Sequence, residues 1–351
     1  MKRFFVTHIV PRDKILKHNL SVAACNFCHN LIEGGGFDKV FSILPTFVCN
    51  NVEPFDGLVY SRLRKYRILN KIAPLIENAS LFFKIPKWSS VWYYNCTILN
   101  ATLIILLKLF KPTVKQQMII LDYTPGDKPA DRVFLWLTNK MNGTIRLADS
   151  PLFTVSNSIC LPGVVPDSDI RHPQINNIKN EFLISGILND RIAMLPLLLD
   201  VFSKMPDLRL HITGKAPDMD LIKRYTGKYD NIIYHGMVNY DEYLSILHDT
   251  TFLLSTRNPS FPENQCNFPS KIIEALLHNR IVVSTLHYEQ LDGIRYIEVP
   301  ATHEGLTKKL QEIVAMPHGQ LLQYANQASE VRRQFNSSVW NESMDKIEEA
   351  R

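Results

Sequence analysis

The sequence lacks an apolar run long enough to cross a membrane. Its longest apolar stretch, Ile98–Phe110, is interrupted by Asn100 and Lys108, whereas a spanning helix needs about 20 apolar residues. This stretch is therefore predicted to be a buried helix. A secretory signal peptide is also not expected, because the short apolar run near the start leads into Pro11 rather than into a small-residue cleavage site.

A cysteine framework is missing as well. The six cysteines have no regular spacing in a chain of 351 residues, and disulfide scaffolds are typical of short secreted chains. Cys25, Cys28 and His29 spell the c-type haem attachment motif, but they fall within a predicted helix, and a zinc site would need a second cysteine pair. We expect reduced structural thiols in a cytoplasmic protein, with no metal site.

No strong excess of charge is present. The net charge is +5 and the pI is near 8.8, which permits an anionic ligand without indicating a nucleic-acid-binding protein. Hydrophobic residues make up 46% and charged residues 21% of the chain, so that each half can bury an ordinary core. The length favours two domains.

Apolar strands alternate with amphipathic helices in both halves. The first half is predicted to contain strands at Phe4–Val10, Val40–Leu44, Ser90–Asn95, Met118–Asp122 and Thr144–Ala148, with helices at Leu20–Ile32, Ile98–Phe110 and Arg132–Met141. The second half is predicted to contain strands at Phe182–Gly186, Leu208–Thr213, Ile232–His235, Thr251–Leu254, Ile281–Ser284 and Tyr296–Val299, with helices at Arg191–Lys204, Leu221–Tyr229, Tyr240–His248 and Pro269–His278. Strands separated by helices of this length form parallel sheets through right-handed crossovers.

A polar segment rich in proline, Pro162–Asn180, separates the two halves and is typical of a linker. The predicted fold class is therefore α/β, with two Rossmann-like domains whose parallel sheets face a central cleft. We place the first domain at 1–165 and the second at 166–335. Residues 336–351 form a separate C-terminal segment in this division.

The segment Asn267–Glu274 has the features of a phosphate-binding helix start. Asn267 is a plausible N-cap, and Pro269 suits the first turn of a helix. The free N–H groups of Ser270 and Lys271 would then point outward, where the helix dipole favours an anion. Glu274 lies one turn later on the same face and can accept two ribose hydroxyls. A capped helix with a solvent-facing glutamate is the alternative interpretation.

Short polar or glycine-bearing turns follow four successive strands of the second half. They begin at Gly186, Gly214-Lys215, His235-Gly236 and Ser255, and the last of them ends at Arg257. Ligands bind at this carboxyl edge in open α/β sheets. Arg191, after the first of these turns, is predicted to make a diphosphate contact because a guanidinium can bind phosphate oxygens with two hydrogen bonds.

The second half resembles the group 1 family of GT-B glycosyltransferases. The stretch FPSKIIEALLHNRIVVST is similar to that family's PSKxxE region, and LRLHITGK, NIIYHGMVNYDEYLSIL and the closing FNSSVWNESMDKIEE resemble its neighbouring blocks. The resemblance implies a retaining, metal-independent transferase with no cofactor. It also implies a nucleotide-sugar donor in the second domain, an acceptor in the first, and a final helix that returns to the first domain.

By position, the resemblance assigns the ribose to Glu274, the phosphates to Ser270 and Lys271, and the diphosphate to Arg191. The complete predicted donor site is Gly186, Arg191, Gly214, Lys215, Arg257, Asn267, Phe268, Pro269, Ser270, Lys271 and Glu274. The chain departs from the family where a first glutamate is common, because Cys266 stands at that position and Glu263 lies three residues earlier. The group that steadies the sugar is therefore left open.

Three residues of the first half are candidates for catalysis or acceptor binding. His8, Asp122 and Asp149 each end a predicted strand, where a carboxylate or imidazole can steady developing positive charge or orient a hydroxyl. Asp122 lies in the most loop-like sequence and is predicted to act with Arg191 and Lys271 as a catalytic group. The alternative for each of the three is an ordinary strand-end cap.

Two other signals have simple structural explanations. Asp218-Met-Asp220 and Asp167-Ser-Asp169 resemble a metal-binding Asp-x-Asp motif, but aspartate is common at helix starts and in linkers. The basic stretch Arg62–Arg67 with Lys71 is predicted to be a solvated helix face, with a surface helix on anionic lipid as the alternative.

The sequence as a whole predicts a cytoplasmic glycosyltransferase, with peripheral contact at the inner membrane face as an option. It would use a nucleotide-sugar donor and a glycan or lipid-linked acceptor of surface polysaccharide synthesis. A nucleotide-sugar epimerase on the same fold and a non-catalytic binding subunit are the alternatives.

Overall fold

The chain forms two compact units in a computed structural model. The structure describes residues 1–15, 17–48, 52–66, 68–121, 123, 126, 128–166 and 172–350, without the side chain of Gln265. The first unit contains Met1–Asp167, Cys266–Phe268 and Phe335–Arg351, and the second contains Ser168–Gln265 and Pro269–Gln334.

Each unit contains a six-stranded sheet in which all paired strands are parallel. The strands of the first are β1 Arg3–Thr7, β2 Lys39–Ser42, β3 Ser90–Tyr94, β4 Lys115–Ile120, β5 Gly143–Arg146 and β6 Ser158–Cys160, in the order β2-β1-β3-β4-β5-β6. Those of the second are β7 Glu181–Ile187, β8 Arg209–Lys215, β9 Ile232–Gly236, β10 Phe252–Ser255, β11 Ile281–Ser284 and β12 Ile297–Glu298, in the order β12-β11-β10-β7-β8-β9. These two sheets confirm the predicted α/β fold class.

Helices connect most successive strands of each sheet, whereas β5 and β6 are joined without a helix and β11 and β12 through a short 3-10 turn. The helices are α1 Val22–Glu33, α2 Ala73–Lys84, α3 Ala101–Phe110, α4 Pro129–Thr138, α5 Asp190–Ala193, α6 Leu195–Ser203, α7 Met219–Thr226, α8 Tyr240–Asp249, α9 Pro262–Gln265, α10 Ser270–Leu277, α11 His303–Ala315, α12 His318–Leu321, α13 Ala328–Phe335 and α14 Ser337–Glu349. No helix in the described ranges has the length and apolar character that a membrane span requires.

The core of the second unit lies on both faces of its sheet, as expected for parallel strands covered by helices. Phe182 of β7 stacks on Phe252 of β10 with ring centroids 4.5 Å apart, and both rings are buried. Helix α6 contributes Leu198 and Phe202 to the same core. This packing holds the carboxyl ends of the strands in fixed positions.

The C-terminal helix α14 packs within the first unit, as the predicted fold class requires. Trp340 is fully buried and donates a hydrogen bond from Nε1 to the carbonyl of Gly163 at 2.7 Å. Near the end of α14, the Glu348 carboxylate accepts hydrogen bonds from Arg3 and from the indole of Trp92, both at 2.7 Å. These buried, charge-assisted bonds hold the pKa of Glu348 below its usual value despite the burial that acts to raise it.

The basic stretch around residue 64 is not the helix that its pattern predicts. Residues Arg62–Lys65 and Leu69–Lys71 form two short 3-10 turns. Arg64 is buried and forms an ion pair with Glu77 of α2, whose side chain is equally buried. The prediction of one solvated helix face was wrong because Arg64 turns inward to Glu77, and α2 itself was not predicted.

Candidate functional site

The carboxyl edge of the second sheet contains two glycines whose backbones touch. Gly186 of β7 pairs with Gly214 of β8, and both have positive φ angles, +116° and +123°. A Cβ atom placed on Gly214 would lie 2.1 Å from the carbonyl oxygen of Gly186. The end of β8 can therefore lie this close to the end of β7 only because Gly214 has no side chain. Lys215, which follows, is exposed.

Arg191 lies on the short helix α5 that follows β7. Its guanidinium forms an ion pair with Glu263 of α9 and lies over the ring of Phe261 at 4.6 Å. The buried amide of Asn264 donates to the backbone carbonyl of Arg191 at 2.8 Å. These contacts hold Arg191 against the loop after β10, with its side chain still about half exposed at 54%.

The same loop positions Arg257. Its guanidinium donates to the side-chain oxygen of Asn264 at 3.4 Å, and its carbonyl accepts from Thr285 at 2.6 Å. Asn264 therefore links Arg257 to Arg191, which places two residues of the predicted donor site beside one buried amide. The local sequence does not predict this role of Asn264. The residue lies on a helix of only four residues, after a proline and a glutamate, and no motif marks it.

Lys271 and Glu274 form the second cluster of the site, on the first turns of α10. Their charged groups are 2.8 Å apart, and Lys271 Nζ lies 3.8 Å from the ring centroid of Tyr243 on α8. The Glu274 side chain is 21% exposed. A carboxylate that is accessible yet already paired can exchange its lysine partner for ligand hydroxyls without unfolding any structure.

Two buried hydroxyl groups beside this cluster were not predicted. Ser185 Oγ and Tyr243 Oη are buried, and the Tyr243 hydroxyl lies near both Ser185 and Glu274. Burial raises the pKa of Tyr243 well above its usual value, and the nearby charge of Glu274 raises it further. The two hydroxyls lie at the end of β7 and on α8, at the edge where a ligand is expected.

The helix start of α10 differs from the prediction in one respect. The N-cap position is Pro269, with φ −76° and ψ 108°, not Asn267. The side-chain oxygen of Asn267 instead accepts a hydrogen bond from the backbone N–H of Tyr123 at 2.5 Å. Cys266 Sγ lies 3.2 Å from Ser150 Oγ, and Phe268 is buried. Residues Cys266–Phe268 thus belong to the first unit, whereas Ser270, Lys271 and Glu274 belong to the second.

The first-half candidates have different environments. Asp122 lies outside the described residues. His8 donates a hydrogen bond from Nδ1 to the Ile43 carbonyl (2.8 Å), and burial lowers its pKa to about 4. Asp149 forms an ion pair with Arg146 at 3.0 Å. These contacts are those expected of strand-end caps, which was the alternative for both residues.

The discounted motifs have structural roles where they are described. Cys25 and Cys28 are buried on α1, and burial raises the pKa of Cys25 to about 11 and that of Cys28 still further. Asp218 is the N-cap of α7 and accepts from the Leu221 N–H at 2.9 Å. Asp167 and Asp169 lie outside the described residues.

Two Rossmann-like units with a returning C-terminal helix define the GT-B fold, and solved structures of that fold are similar to this chain. Sucrose-phosphate synthase from Thermosynechococcus elongatus has a TM-score of 0.69 at 12% identity, covering 99% of this chain and 98% of that one. The UDP-forming trehalose-phosphate synthase from Burkholderia vietnamiensis (0.66, 10%) and Anabaena HepE in complex with UDP and glucose (0.64, 13%) each cover both chains completely. No protein-family model matches the sequence, and no curated protein matches it.

Proposed function

We propose that this chain is a glycosyltransferase that binds a nucleoside-diphosphate sugar at the carboxyl edge of its second sheet. The observation that carries the proposal is the arrangement around β7. At the carboxyl edge of this sheet, the paired glycines that end β7 and β8 occur together with the Arg191–Glu263 ion pair, which follows β7, and the Lys271–Glu274 ion pair, which follows β10. Several similar solved structures are glycosyltransferases or sugar-phosphate synthases, and one of them holds UDP and glucose.

The proposed chemistry is electrostatic. The bond between the anomeric carbon of the sugar and the diphosphate breaks as a bond to the acceptor oxygen forms. The diphosphate leaves with added negative charge and takes the proton that the acceptor hydroxyl loses. Arg191, Lys271 and the N-terminus of α10 stabilise that charge, so that no metal ion or cofactor is needed. We propose transfer with retention of configuration. Asp122 remains the candidate for steadying the sugar or orienting the acceptor.

Arg191→Ala is expected to raise the Kd for UDP about 10- to 100-fold, since a charge-assisted phosphate contact contributes about 1.5–3 kcal/mol. Glu263→Gln should lower the Kd, because it releases Arg191 from its ion pair. Calorimetric titration of the full chain measures both. Arg209→Ala is a matched control, since Arg209 is equally exposed (53%) and paired with Glu181, but at the amino end of the sheet. An unchanged Kd in Arg191→Ala would contradict the assignment.

Incubation with a panel of UDP-sugars and acceptors separates the alternatives. A glycosylated acceptor with stoichiometric UDP supports the transferase. An epimerised donor without acceptor consumption supports the epimerase. Binding without turnover across the panel supports a binding subunit, and in that case the donor site stands while the transferase assignment fails.

We also propose that the acceptor is lipid-linked and that the first unit contacts an anionic membrane. Residues 60–111 contain nine lysines and arginines but one acidic residue, Glu77, which is buried against Arg64. Large apolar side chains are exposed in the same segment, including Ile68 at 83%, Phe83 at 80% and Trp88 at 73%. Apolar groups interspersed with cations are suited to the headgroup region of an anionic bilayer.

The double variant Ile68→Ser/Phe83→Ser is expected to reduce the fraction of protein that sediments with vesicles containing phosphatidylglycerol by roughly 10-fold or more, because two large apolar groups no longer insert. Met237→Ser, which alters an exposed apolar residue (78%) of the second unit, should behave as the unaltered chain. Equal binding to neutral and anionic vesicles, or no change in the double variant, would argue against the membrane surface.

A further inference from the structure

Three histidines meet at the opposite edge of the second sheet from the proposed donor site. His248 lies in the last turn of α8 and His278 directly follows α10, so that they precede β10 and β11 respectively. His172 precedes β7 along the chain. The glycine turns follow the strands, whereas these imidazoles lie before them. The cluster is therefore separate from the groups assigned to donor binding.

The imidazole nitrogens are close enough to share one ion. His248 Nε2 and His278 Nδ1 are 2.8 Å apart, and one nitrogen from each of the three rings lies within 4.8 Å of the others. The rings of His172 and His278 have centroids 3.7 Å apart. Nitrogens around a tetrahedral Zn²⁺ ion, each about 2.0–2.1 Å from the metal, are roughly 3.4 Å from one another. The 2.8 Å between His248 and His278 and the 4.8 Å upper limit for the three nitrogens bracket that spacing.

Two side chains hold the backbone of all three histidines. Asn279 donates from Nδ2 to the carbonyl of His172 at 3.0 Å. Arg280 donates from Nη1 to the carbonyl of His248 at 3.1 Å and from Nε to that of His278 at 2.9 Å. Ligand residues with fixed backbones need little rearrangement to bind, which is the property of a preorganised site.

The three imidazole ligands favour one class of metal. Arg280 and Arg332 lie near the cluster, and Asp249 offsets part of their charge. Neutral imidazole is the form that ligates metals. With three imidazoles and no carboxylate among the ligands, oxygen-preferring Mg²⁺ and Ca²⁺ are disfavoured, whereas Zn²⁺ and similar ions bind imidazole strongly.

We propose that His172, His248 and His278 bind one Zn²⁺ ion, with water as the fourth ligand. The ion takes the place of the hydrogen bond between His248 and His278, whose proton moves to the other nitrogen of the same ring, and it ties the segment at His172 to the ends of α8 and α10. The site would therefore stabilise the second unit and act independently of sugar transfer.

The test uses the full chain without a histidine tag, loaded with Zn²⁺ and then desalted. We expect close to one zinc per chain, and a Tm several degrees higher with excess Zn²⁺, because a ligand that binds only the folded state stabilises it. His172→Gln and His248→Gln, which alter the two partly exposed members, should each lose both effects.

His211→Gln is the matched control, since His211 is also partly buried and hydrogen-bonds another histidine, His235, at 2.9 Å. This variant should keep the zinc and the rise in Tm. A folded unaltered chain that retains no zinc, or equal zinc in His172→Gln and the unaltered chain, overturns the proposal. Donor binding is measured in the same samples and does not depend on the outcome.

Discussion

Glu274→Ala is expected to raise the Kd for UDP by roughly 10- to 100-fold and to remove the preference for UDP over 2′-deoxy-UDP. The reason is that a carboxylate accepting hydrogen bonds from both ribose hydroxyls contributes about 1.5–3 kcal/mol to binding. The preference for UDP over 2′-deoxy-UDP tests the ribose contact more directly than the Kd for UDP. The variant also releases Lys271 from its ion pair with Glu274, which favours phosphate binding and offsets part of the loss. The comparison of the two nucleotides isolates the ribose contact.

Glu312→Ala is a suitable control for this experiment. Glu312 accepts from a lysine three residues earlier on α11, at 3.0 Å, as Glu274 does on α10 at 2.8 Å. Its removal should leave the affinity and the discrimination unchanged. If Glu274→Ala still prefers UDP over the deoxy analogue as strongly as the unaltered chain, the ribose assignment is wrong, even where the total affinity falls.

Gly214→Ala is expected to destabilise the chain by about 1–3 kcal/mol more than Gly186→Ala, since overpacking adds that amount to backbone strain. Both glycines have positive φ angles, but a new Cβ meets backbone atoms only at Gly214; at Gly186 nothing lies within 4 Å. The difference is measured as the shift in urea midpoint at constant m-value. Equal shifts in the urea midpoint for the two variants would contradict this prediction. They would show that the ends of β7 and β8 can move apart to admit the new Cβ without a loss of stability.

Much of the second unit was predictable from local pattern. The apolar runs that became β7, β8, β10 and β11 are short and bounded by polar turns, and the helices between them require parallel pairing. The carboxyl edge follows from that topology, as does the grouping of Gly186 with Gly214. Lys271 and Glu274 are close because they are neighbours on one helix face.

Other parts depended on contacts between residues far apart in the sequence. The basic stretch near residue 64 has the composition of a surface helix, but a buried partner on α2 draws Arg64 inward. Asn267 has the chemistry of an N-cap, yet its side chain bonds to Tyr123, which is 144 residues earlier. Local pattern cannot reveal such partners, because the competing interaction does not exist until the chain is folded.

The sequence by itself determined the alternation of strands and helices, the glycines at the strand ends and the residue types of a phosphate-binding edge, since these depend on neighbours along the chain. Only the tertiary structure decided that Glu263 pairs with Arg191, that Tyr243 and Ser185 lie beside Glu274, and that three separated histidines meet at the opposite edge. The physical reason is that ion pairs, buried hydroxyls and metal ligands require groups within a few ångströms, a condition set by packing rather than by spacing in the chain.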